Sequence, residues 1–185
     1  KLQSELSFLR AQTNPHFLFN TLNNLYVLAR KKSDRTADAI MMLSKIMRFV
    51  LYDCRASRIP VADEAKIIQD YIELEKLRYN DRLRVQYGEN IVAPGGTIAP
   101  LLLLPFVENS FKHGAGSTTG TADIFVHLHL DNNLLDFEVR NTVEGENPRP
   151  NPEGIGLKNV KRQLDLIYPG RYELSVGRED RKSVV

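Results

Sequence analysis

Two amphipathic helix patterns occupy the first 50 residues, and they limit the possible folds more than any other feature of the sequence. Residues 1 to about 30 contain no glycine, and apolar residues there recur at spacings of four, three and four. These residues are Leu18, Leu22, Leu25 and Ala29. After the polar residues 31–35, the helical pattern returns at Ile40, Leu43, Met47 and Val50. Because one helical hairpin cannot enclose both apolar stripes, the pattern predicts that two copies pair into a four-helix bundle.

The segment NPHFLFN, residues 14–20, places a histidine in the first of these helices. At about 100° per residue, the apolar stripe is centred about 210° around the helix from His16, whereas Asn20 lies within about 80° of it. His16 therefore belongs to the polar face and points away from the bundle core. Pro15 either kinks a continuous helix or is its first residue, with Asn14 as the cap. Both interpretations leave His16 accessible.

The next part of the chain is predicted to contain helices and a first strand. A third helix runs from near Asp63, its cap, to Tyr79. Its apolar residues are Ile67, Ile68, Tyr71, Ile72 and Leu74. Residues 85–87 indicate a short strand, residues 94–96 a loop, and residues 101–113 a further helix.

Alternating apolar residues then predict a β-hairpin. Residues 124–130 and 135–139 alternate in this way and are separated by the turn sequence of residues 131–133. A proline-rich mobile loop is expected over residues 142–153. The last predicted elements are a helix over 154–168, a strand over 172–176 and a strand cut short at 183–185. The fold class is therefore α+β, with a helical hairpin over residues 1–60 and a mixed domain over residues 61–185.

Composition narrows the class of protein. The chain has 185 residues, of which 42% are hydrophobic and 26% charged, as in globular proteins. A net charge of +2 gives no reason to expect nucleic acid or an acidic membrane surface as a partner. The single cysteine, Cys54, excludes an intrachain disulfide and a cysteine-based zinc site; its place on the second helix predicts a core residue. Residues 101–107 are too few to span a bilayer, and the chain is expected to be a piece of a longer protein.

Polar residues on the helix of residues 101–113 can be interpreted in two ways. Glu108 and Lys112, four apart, suit a surface salt bridge. Alternatively, Asn109, Lys112 and His113 form one polar ridge, with an amide oxygen suited to Mg²⁺ and a cation suited to phosphate. The first interpretation is favoured when the stretch is taken alone.

Two other patterns are weaker on their own. Gly154 and Gly156 precede a helix, where they would let the backbone approach a phosphate or would simply cap the helix. His127 and His129 lie two apart on one strand and face the same way, but a third metal ligand is not evident. Exposed strand residues are the preferred interpretation of this histidine pair.

Taken together, the motifs resemble a known family. NPHFLFN at residues 14–20, VENSFKHG at 107–114 and GIGLKNVKRQL at 154–164 occur in the order found in sensor histidine kinases of the LytS type. YIELEKLRY at 71–79 is similar to a segment that precedes the nucleotide-binding domain in that family. The resemblance covers nearly the whole chain. It implies a dimeric four-helix bundle followed by a Bergerat-type (GHKL) α/β sandwich that binds ATP.

The resemblance also implies roles for individual residues. His16 would be the phosphoacceptor, and Asn109 would bind the Mg²⁺ that bridges the phosphates of ATP. Lys112 and His113 would lie near those phosphates. The glycine turn that follows the flexible lid of residues 142–153 would be formed by Gly154, Gly156 and Leu157.

One position departs from the family pattern. Where members often carry an aspartate that accepts a hydrogen bond from the adenine amino group, this chain has Asn141. An amide oxygen still accepts a hydrogen bond, but a charged acceptor is stronger. The glycines that usually follow this aspartate are missing as well, which changes the entrance to the lid, and a reduced affinity for ATP is expected.

The implied function is ATP-dependent autophosphorylation of His16 and transfer of the phosphoryl group to an aspartate of a response-regulator protein. Glu108 would orient or deprotonate the attacking nitrogen, and Asn20 would position a water molecule for dephosphorylation of the partner. The chain would be the cytoplasmic part of a membrane protein that receives its signal from an upstream sensor region. A second interpretation is a non-catalytic dimerisation scaffold with a decayed ATP site; a nucleic-acid binder is disfavoured by the near-zero charge.

Overall fold

The computed structural model describes residues 19, 21–52, 56–79, 82–92, 95–115, 120–132, 134–142, 155–179 and 182–184. Within these ranges the chain forms five α-helices, one π-helical turn and seven strands. In chain order they are α1 (residues 21–30), α2 (Thr36–Tyr52), β1 (Ile59–Pro60), α3 (Val61–Tyr79), β2 (Leu83–Ile91), β3 (Thr97–Ile98), α4 (Leu104–Ser110), the π turn (Phe111–Ala115), β4 (Ala122–Asp131), β5 (Leu134–Thr142), α5 (Ile155–Ile167), β6 (Gly177–Glu179) and β7 (Lys182–Val184).

A tight turn over residues 31–35 joins α1 to α2. The backbone N–H of Ser33 donates to the carbonyl of Leu28 at 3.0 Å, which closes the end of α1. At the start of α2, both the backbone N–H and the hydroxyl of Thr36 donate to the Ser33 carbonyl, at 3.1 and 2.8 Å. The predicted helix–turn–helix order is therefore present.

Within a single chain, these helices bury only part of the predicted apolar stripes. On α2 the buried residues are Ala39, Leu43, Ile46 and Phe49, whereas Ile40 is exposed. On α1, Leu22 and Ala29 are exposed and Thr21 is buried. Apolar residues occupy two faces of α2: one packs within the chain, and the other carries Ile40, on the stripe that a second copy is predicted to cover. Helical spacing alone could not show that α3 packs against the Ala39 side.

The main sheet has five strands in the order β2–β4–β5–β7–β6. β2 runs parallel to β4, and the other neighbours are antiparallel. Alternate β4 residues from Ala122 to Leu130 are buried on one face, against which α3, α4 and the π turn pack. α5 in turn contacts α4. A layer of helices on one face of a mixed sheet is the α+β sandwich that was predicted.

The predicted β-hairpin is confirmed, with Asp131 and Leu134 paired at its turn. The third helix is also confirmed, but it begins at Val61, so Asp63 is not its cap. The strand predicted over residues 172–176 is wrong. Those residues join no strand, and Tyr172 and Leu174 pack against the core while β7 pairs with β5. Short β1 and β3 pair with each other and were not predicted.

Buried residues of α2 belong to the same apolar cluster as those of α3 and the sheet. The division of the chain at residue 60 stays a prediction. Cys54 and the loop of residues 143–153 lie outside the described residues. In the part of the chain that the structure describes, no helix is both long and apolar enough to cross a bilayer.

Candidate functional site

The VENSFKHG motif ends α4 and forms the π turn that follows it. Phe111 anchors the turn: it is only 2% exposed and meets the Tyr71 ring edge-on, with ring centroids 5.6 Å apart. Lys112 and His113, next in the chain, are exposed. A widened turn at a helix end is frequent at functional sites, because it changes the direction of the side chains it carries.

Gly114 brings this turn against the end of β5. A Cβ atom at Gly114 would lie 3.0 Å from the Cβ of Asn141 and 3.1 Å from its Nδ2. Real Cβ atoms rarely approach so closely, so glycine permits the contact. Asn141 is buried, and its Nδ2 donates to the Thr142 carbonyl at 3.0 Å. Two sequence motifs that are far apart in the chain therefore meet here.

Asn109 carries an uncommitted carboxamide. Its Nδ2 atom is enclosed and has no hydrogen-bond partner among the described residues. Such an atom is costly unless a partner arrives, since a buried unpaired donor loses its hydration without compensation. Rotation of the amide exchanges its nitrogen and oxygen, so the same position suits either a phosphate acceptor or a hard cation. Lys112, three residues on, is exposed and forms no ion pair among the described residues. These residues fit a magnesium–phosphate group.

The helix that follows the expected lid lies beside α4. α5 contacts α4, with Val160 fully buried and Leu157 partly buried in the shared core. Gly156 lies in the first turn of α5. The structure thus brings the Asn109 helix, Asn141 and the start of α5 into one region. His16, Asn20 and Gly154 lie outside the described residues.

Glu108 turns toward α3 and does not pair with Lys112. Burial and the negative charge of Glu75 raise the pKa of Glu108 to about 8. Burial also raises the pKa of Glu75, and Arg78, 3.6 Å from its carboxylate, opposes that rise. The surface salt bridge between Glu108 and Lys112 is therefore not formed. Because its pKa lies near the working pH, this partly buried carboxyl can accept a proton in the fraction that is ionised.

Replacing Glu108 by glutamine is expected to stabilise the fold at alkaline pH. The unfolded chain loses this proton near pH 4.5, whereas the folded chain keeps it until about pH 8. The stability that this group contributes is present below pH 4.5 and is lost as the pH rises through 8. At pH 8.5 Glu108→Gln should raise the free energy of unfolding by about 2 kcal/mol, with little change at acid pH.

Urea unfolding at acid and alkaline pH measures this effect. Burial similarly raises the pKa of Glu64 to about 7, so a residual decline of stability with pH should remain in the variant. The matched control is Glu73→Gln, on an exposed carboxylate that pairs with Lys76 at 2.6 Å. An unchanged pH dependence in Glu108→Gln would show that this carboxyl is not held protonated in the folded chain.

Sequence reasoning missed the buried carboxyls of α3. Glu64 is fully buried and Glu75 is 4% exposed. Both lie at positions that continue the apolar face of the helix, three residues after Val61 and three after Ile72. A carboxylate on an apolar helix face was the available signal, because such a group must find partners when it is buried.

The outer face of the sheet carries no described part of this site, because Asn141 pairs with the buried Ile124 and lies on the core face. His127 and His129 are half-buried there, on the face opposite the core. Among the described residues, no group of His, Cys, Asp or Glu is arranged to hold a metal. A hollow of about 350 Å³ on the same face is lined by residues that include Arg84, Phe125, Arg140 and Asn141. The guanidinium of Arg140 lies 4.2 Å from the centre of the Phe125 ring.

The proteins with similar sequences include sensor histidine kinases and sensor proteins. A family model described as "Histidine kinase" matches residues 4–83. The chain is 30% identical to the sensor histidine kinase BtsS of Escherichia coli K12 over 178 residues, which is 96% of this chain and 31% of BtsS. It is 29% identical to the sensor protein LytS of Enterococcus faecalis, over 90% of this chain and 30% of LytS. The chain therefore spans less than a third of the length of these relatives.

A solved structure described as a bacterial phosphotransferase shares the fold. It aligns with a TM-score of 0.50 over 99% of this chain and 93% of its own chain, at 15% identity. At this identity the likeness concerns the fold alone.

Proposed function

Because this chain belongs to the LytS-type sensor histidine kinases, we propose that it binds ATP and phosphorylates its own His16. The phosphoryl group then passes to an aspartate of a response-regulator protein. The observation that carries the proposal is the contact between Gly114 and Asn141, which unites the end of α4 with the end of β5 beside α5. Incubation with γ-labelled ATP and Mg²⁺ tests it: an acid-labile label supports the proposal, and its absence from a folded dimer contradicts it.

The residues around this contact have separate tasks. Asn109 would hold Mg²⁺ through its amide oxygen, and Lys112 and His113, both exposed, would meet phosphate oxygens. Gly156, in the first turn of α5, would let the backbone N–H groups approach the same phosphates, together with Gly154 and Leu157. When bound, Mg²⁺ supplies neutralisation of the charge that develops during phosphoryl transfer.

Asn141 supports adenine recognition in a neutral form. Its Nδ2 already donates to the Thr142 carbonyl, so the amide oxygen is the atom left to accept a hydrogen bond. The exocyclic amino group of adenine is a donor and matches that oxygen. Since a neutral acceptor is weaker than a carboxylate, the affinity for ATP is expected to be modest.

His16 is the proposed nucleophile. An imidazole has an ordinary pKa of about 6.5, so the neutral, nucleophilic form is abundant at neutral pH. A bond forms between a ring nitrogen and the γ-phosphorus while the bond from that phosphorus to the bridging oxygen breaks, and ADP leaves. The proton on the other ring nitrogen would pass to the ionised fraction of Glu108, which grows as the pH rises toward its pKa of about 8. Glu108→Gln should therefore slow labelling even though it stabilises the fold.

Pairing of two chains is part of the proposal, because α1 and α2 expose apolar side chains on their free faces. On α1, Leu22 is 47% exposed, and on α2, Ile40 is 53% exposed. Other large apolar residues are exposed on the same two helices: Phe19, Tyr26, Val27, Met41, Leu51 and Tyr52. Exposed apolar surface of this extent marks an interaction site, and a second copy of the hairpin would bury it in a four-helix bundle.

Charge on this surface is expected to separate the dimer. In Leu22→Glu or Ile40→Glu, two carboxylates would be buried in the bundle, so dissociation should become at least about tenfold easier. Analytical ultracentrifugation measures the monomer fraction. Lys45→Glu, at an exposed polar position of α2, is the matched control. A dimer of unchanged affinity in both apolar variants would place the interface elsewhere.

Further roles are proposed on the same basis. Asn20, one helical turn after His16, would position a water molecule that dephosphorylates the response regulator, and Asn20→Ala should lose that phosphatase rate. The regulator and an upstream sensor region anchored in the membrane would be the partners, with this part of the protein in the cytoplasm.

The alternative is a non-catalytic scaffold. It is favoured by the presence of Asn141 at the position where family members often carry an aspartate. It predicts an intact dimer without label.

A further inference from the structure

The loop that leads into α4 has an unusual backbone. Leu101 adopts a left-handed conformation, with φ of 57°, which is costly for a residue with a branched side chain. The N-cap position of α4 is Leu103, which supplies no side-chain hydrogen bond to the free N–H groups of the helix. Residues 99–103, defined here as the bracket loop, therefore need partners from elsewhere in the chain.

Glu64 of α3 supplies partners on one side. Its two carboxylate oxygens accept hydrogen bonds from the backbone N–H of Leu101 at 2.8 Å and of Leu103 at 2.9 Å. The side chain is completely buried, so water does not compete for these bonds. When it is ionised, the carboxylate also complements the positive end of α4. Glu64 thus holds the strained residue and the start of the Asn109 helix together.

Tyr168 supplies the partner on the other side. Its hydroxyl, one residue past the end of α5, accepts a hydrogen bond from the backbone N–H of Ala99 at 2.9 Å. Arg58, in the connection between α2 and α3, adds to this contact. Its Nη2 lies 3.4 Å from the Tyr168 hydroxyl and 3.3 Å from the Thr97 carbonyl.

We propose that Glu64 and Tyr168 are positioning residues that clamp the bracket loop between α3 and α5. In this way they fix Asn109 on α4 relative to the first turn of α5. This inference rests on the proposed function, since it assigns the two residues to the geometry of the same nucleotide site. Neither side chain is proposed to touch the nucleotide.

The physical basis is that α4, which carries Asn109, and α5 are both held through the bracket loop. Asn109 follows the bracket loop by less than two helical turns, so a shift of the loop moves the amide directly. Displacements of about 1 Å at a reacting group are enough to reduce rates about a hundredfold. A clamp with two independent anchors keeps α4 and α5 in one arrangement while nucleotide binds and leaves.

Two isosteric variants test the clamp. In Glu64→Gln an amide N–H₂ group replaces one oxygen and faces a backbone N–H, so one of the two hydrogen bonds is lost. In Tyr168→Phe only the hydroxyl is removed. Titration calorimetry gives the affinity for Mg²⁺–ATP, and initial labelling rates against ATP concentration separate KM from kcat. All measurements are made well below the unfolding midpoint of each variant.

The expected result is nucleotide affinity weakened about tenfold in Glu64→Gln and about threefold in Tyr168→Phe, with KM raised accordingly. Matched controls are Glu73→Gln, on the exposed face of α3, and Tyr87→Phe. The Tyr87 hydroxyl donates to Glu89 at 2.7 Å and does not contact the bracket loop. Both controls should keep wild-type affinity. A purely structural role would lower the unfolding midpoint and leave the affinity and KM of the folded protein unchanged.

The outcomes separate this inference from the proposed function. If the wild-type chain neither binds Mg²⁺–ATP nor becomes labelled, the proposed function fails. If the wild type does both and the two variants match it, the clamp is wrong and the proposed function stands. Should Glu64→Gln fail to fold, the affinity and KM of Tyr168→Phe decide the question alone.

Discussion

The His16→Gln variant, incubated with γ-labelled ATP and Mg²⁺, is expected to carry no acid-labile phosphoryl group. Glutamine has a similar length and remains polar, but its amide nitrogen is not a nucleophile at neutral pH. Removal of an essential nucleophile typically costs at least about a thousandfold in rate, so labelling should fall below detection. The affinity for Mg²⁺–ATP should stay at the wild-type value, because the proposed nucleotide site lies on α4, β5 and α5 and does not include residue 16.

His129→Gln is the matched control for this experiment. His129 lies on the outer face of β4, opposite the core. The His129→Gln variant should therefore become labelled to the same extent as the wild type. Sedimentation of His16→Gln should also show an intact dimer, since the sequence predicts that His16 lies on the polar face of its helix. Retention of the acid-labile label in His16→Gln would show that another side chain accepts the phosphoryl group.

The Asn109→Ala variant is expected to lose most of its affinity for Mg²⁺–ATP without losing stability. Removal of one ligand from a metal–phosphate site costs about 10- to 100-fold in binding. The folded protein without nucleotide should not suffer, because the deleted Nδ2 atom is enclosed and has no partner. Deleting an unpaired buried donor removes a desolvation penalty, so the free energy of unfolding should stay constant or rise by about 1 kcal/mol.

Calorimetry and urea unfolding measure the two effects separately. Asn90→Ala, at an exposed position of β2, is the control and should change neither quantity. The combination of weaker affinity and unchanged or higher stability is informative. Truncating a residue needed only for packing would lower the free energy of unfolding. Loss of stability with unchanged nucleotide affinity in Asn109→Ala would exclude it from the site.

Much of the fold follows from local patterns in the sequence. The hairpin of β4 and β5 was predicted because apolar residues alternate on both sides of a turn, and the pairing of Asp131 with Leu134 agrees. α3 was predicted from helical spacing. These elements have one buried face each, so the period of the apolar residues identifies both the element and the face.

Errors arose where tertiary contacts choose between local options. α2 has apolar residues on two faces, and helical spacing did not show that the Ala39 face packs within the chain while Ile40 stays on its surface. The helix predicted from residue 101 begins at Leu104, because Glu64 accepts the backbone N–H groups that a helix start would otherwise leave free. No local pattern contains that information, since the two partners are 39 residues apart.

In the candidate site, too, local motifs were identified from the sequence, whereas contacts between distant elements were not. Asn109, Lys112 and Asn141 were identified because their motifs are local and ordered along the chain. The π turn, the close approach of Gly114 to Asn141 and the raised pKa of Glu108 depend on packing between distant elements. Glu64 and Tyr168 were missed for that reason. A carboxylate on the apolar face of α3 was the visible trace of one of them.

Mapping the phosphorylated residue tests the central claim most directly. The wild-type chain is incubated with ATP and Mg²⁺, kept at neutral to alkaline pH, and fragmented for mass spectrometry under conditions that preserve phosphohistidine. The predicted result is a single phosphorylated position, the imidazole of residue 16. A folded, dimeric chain that binds ATP but carries the phosphoryl group at another residue, or at none, would contradict it.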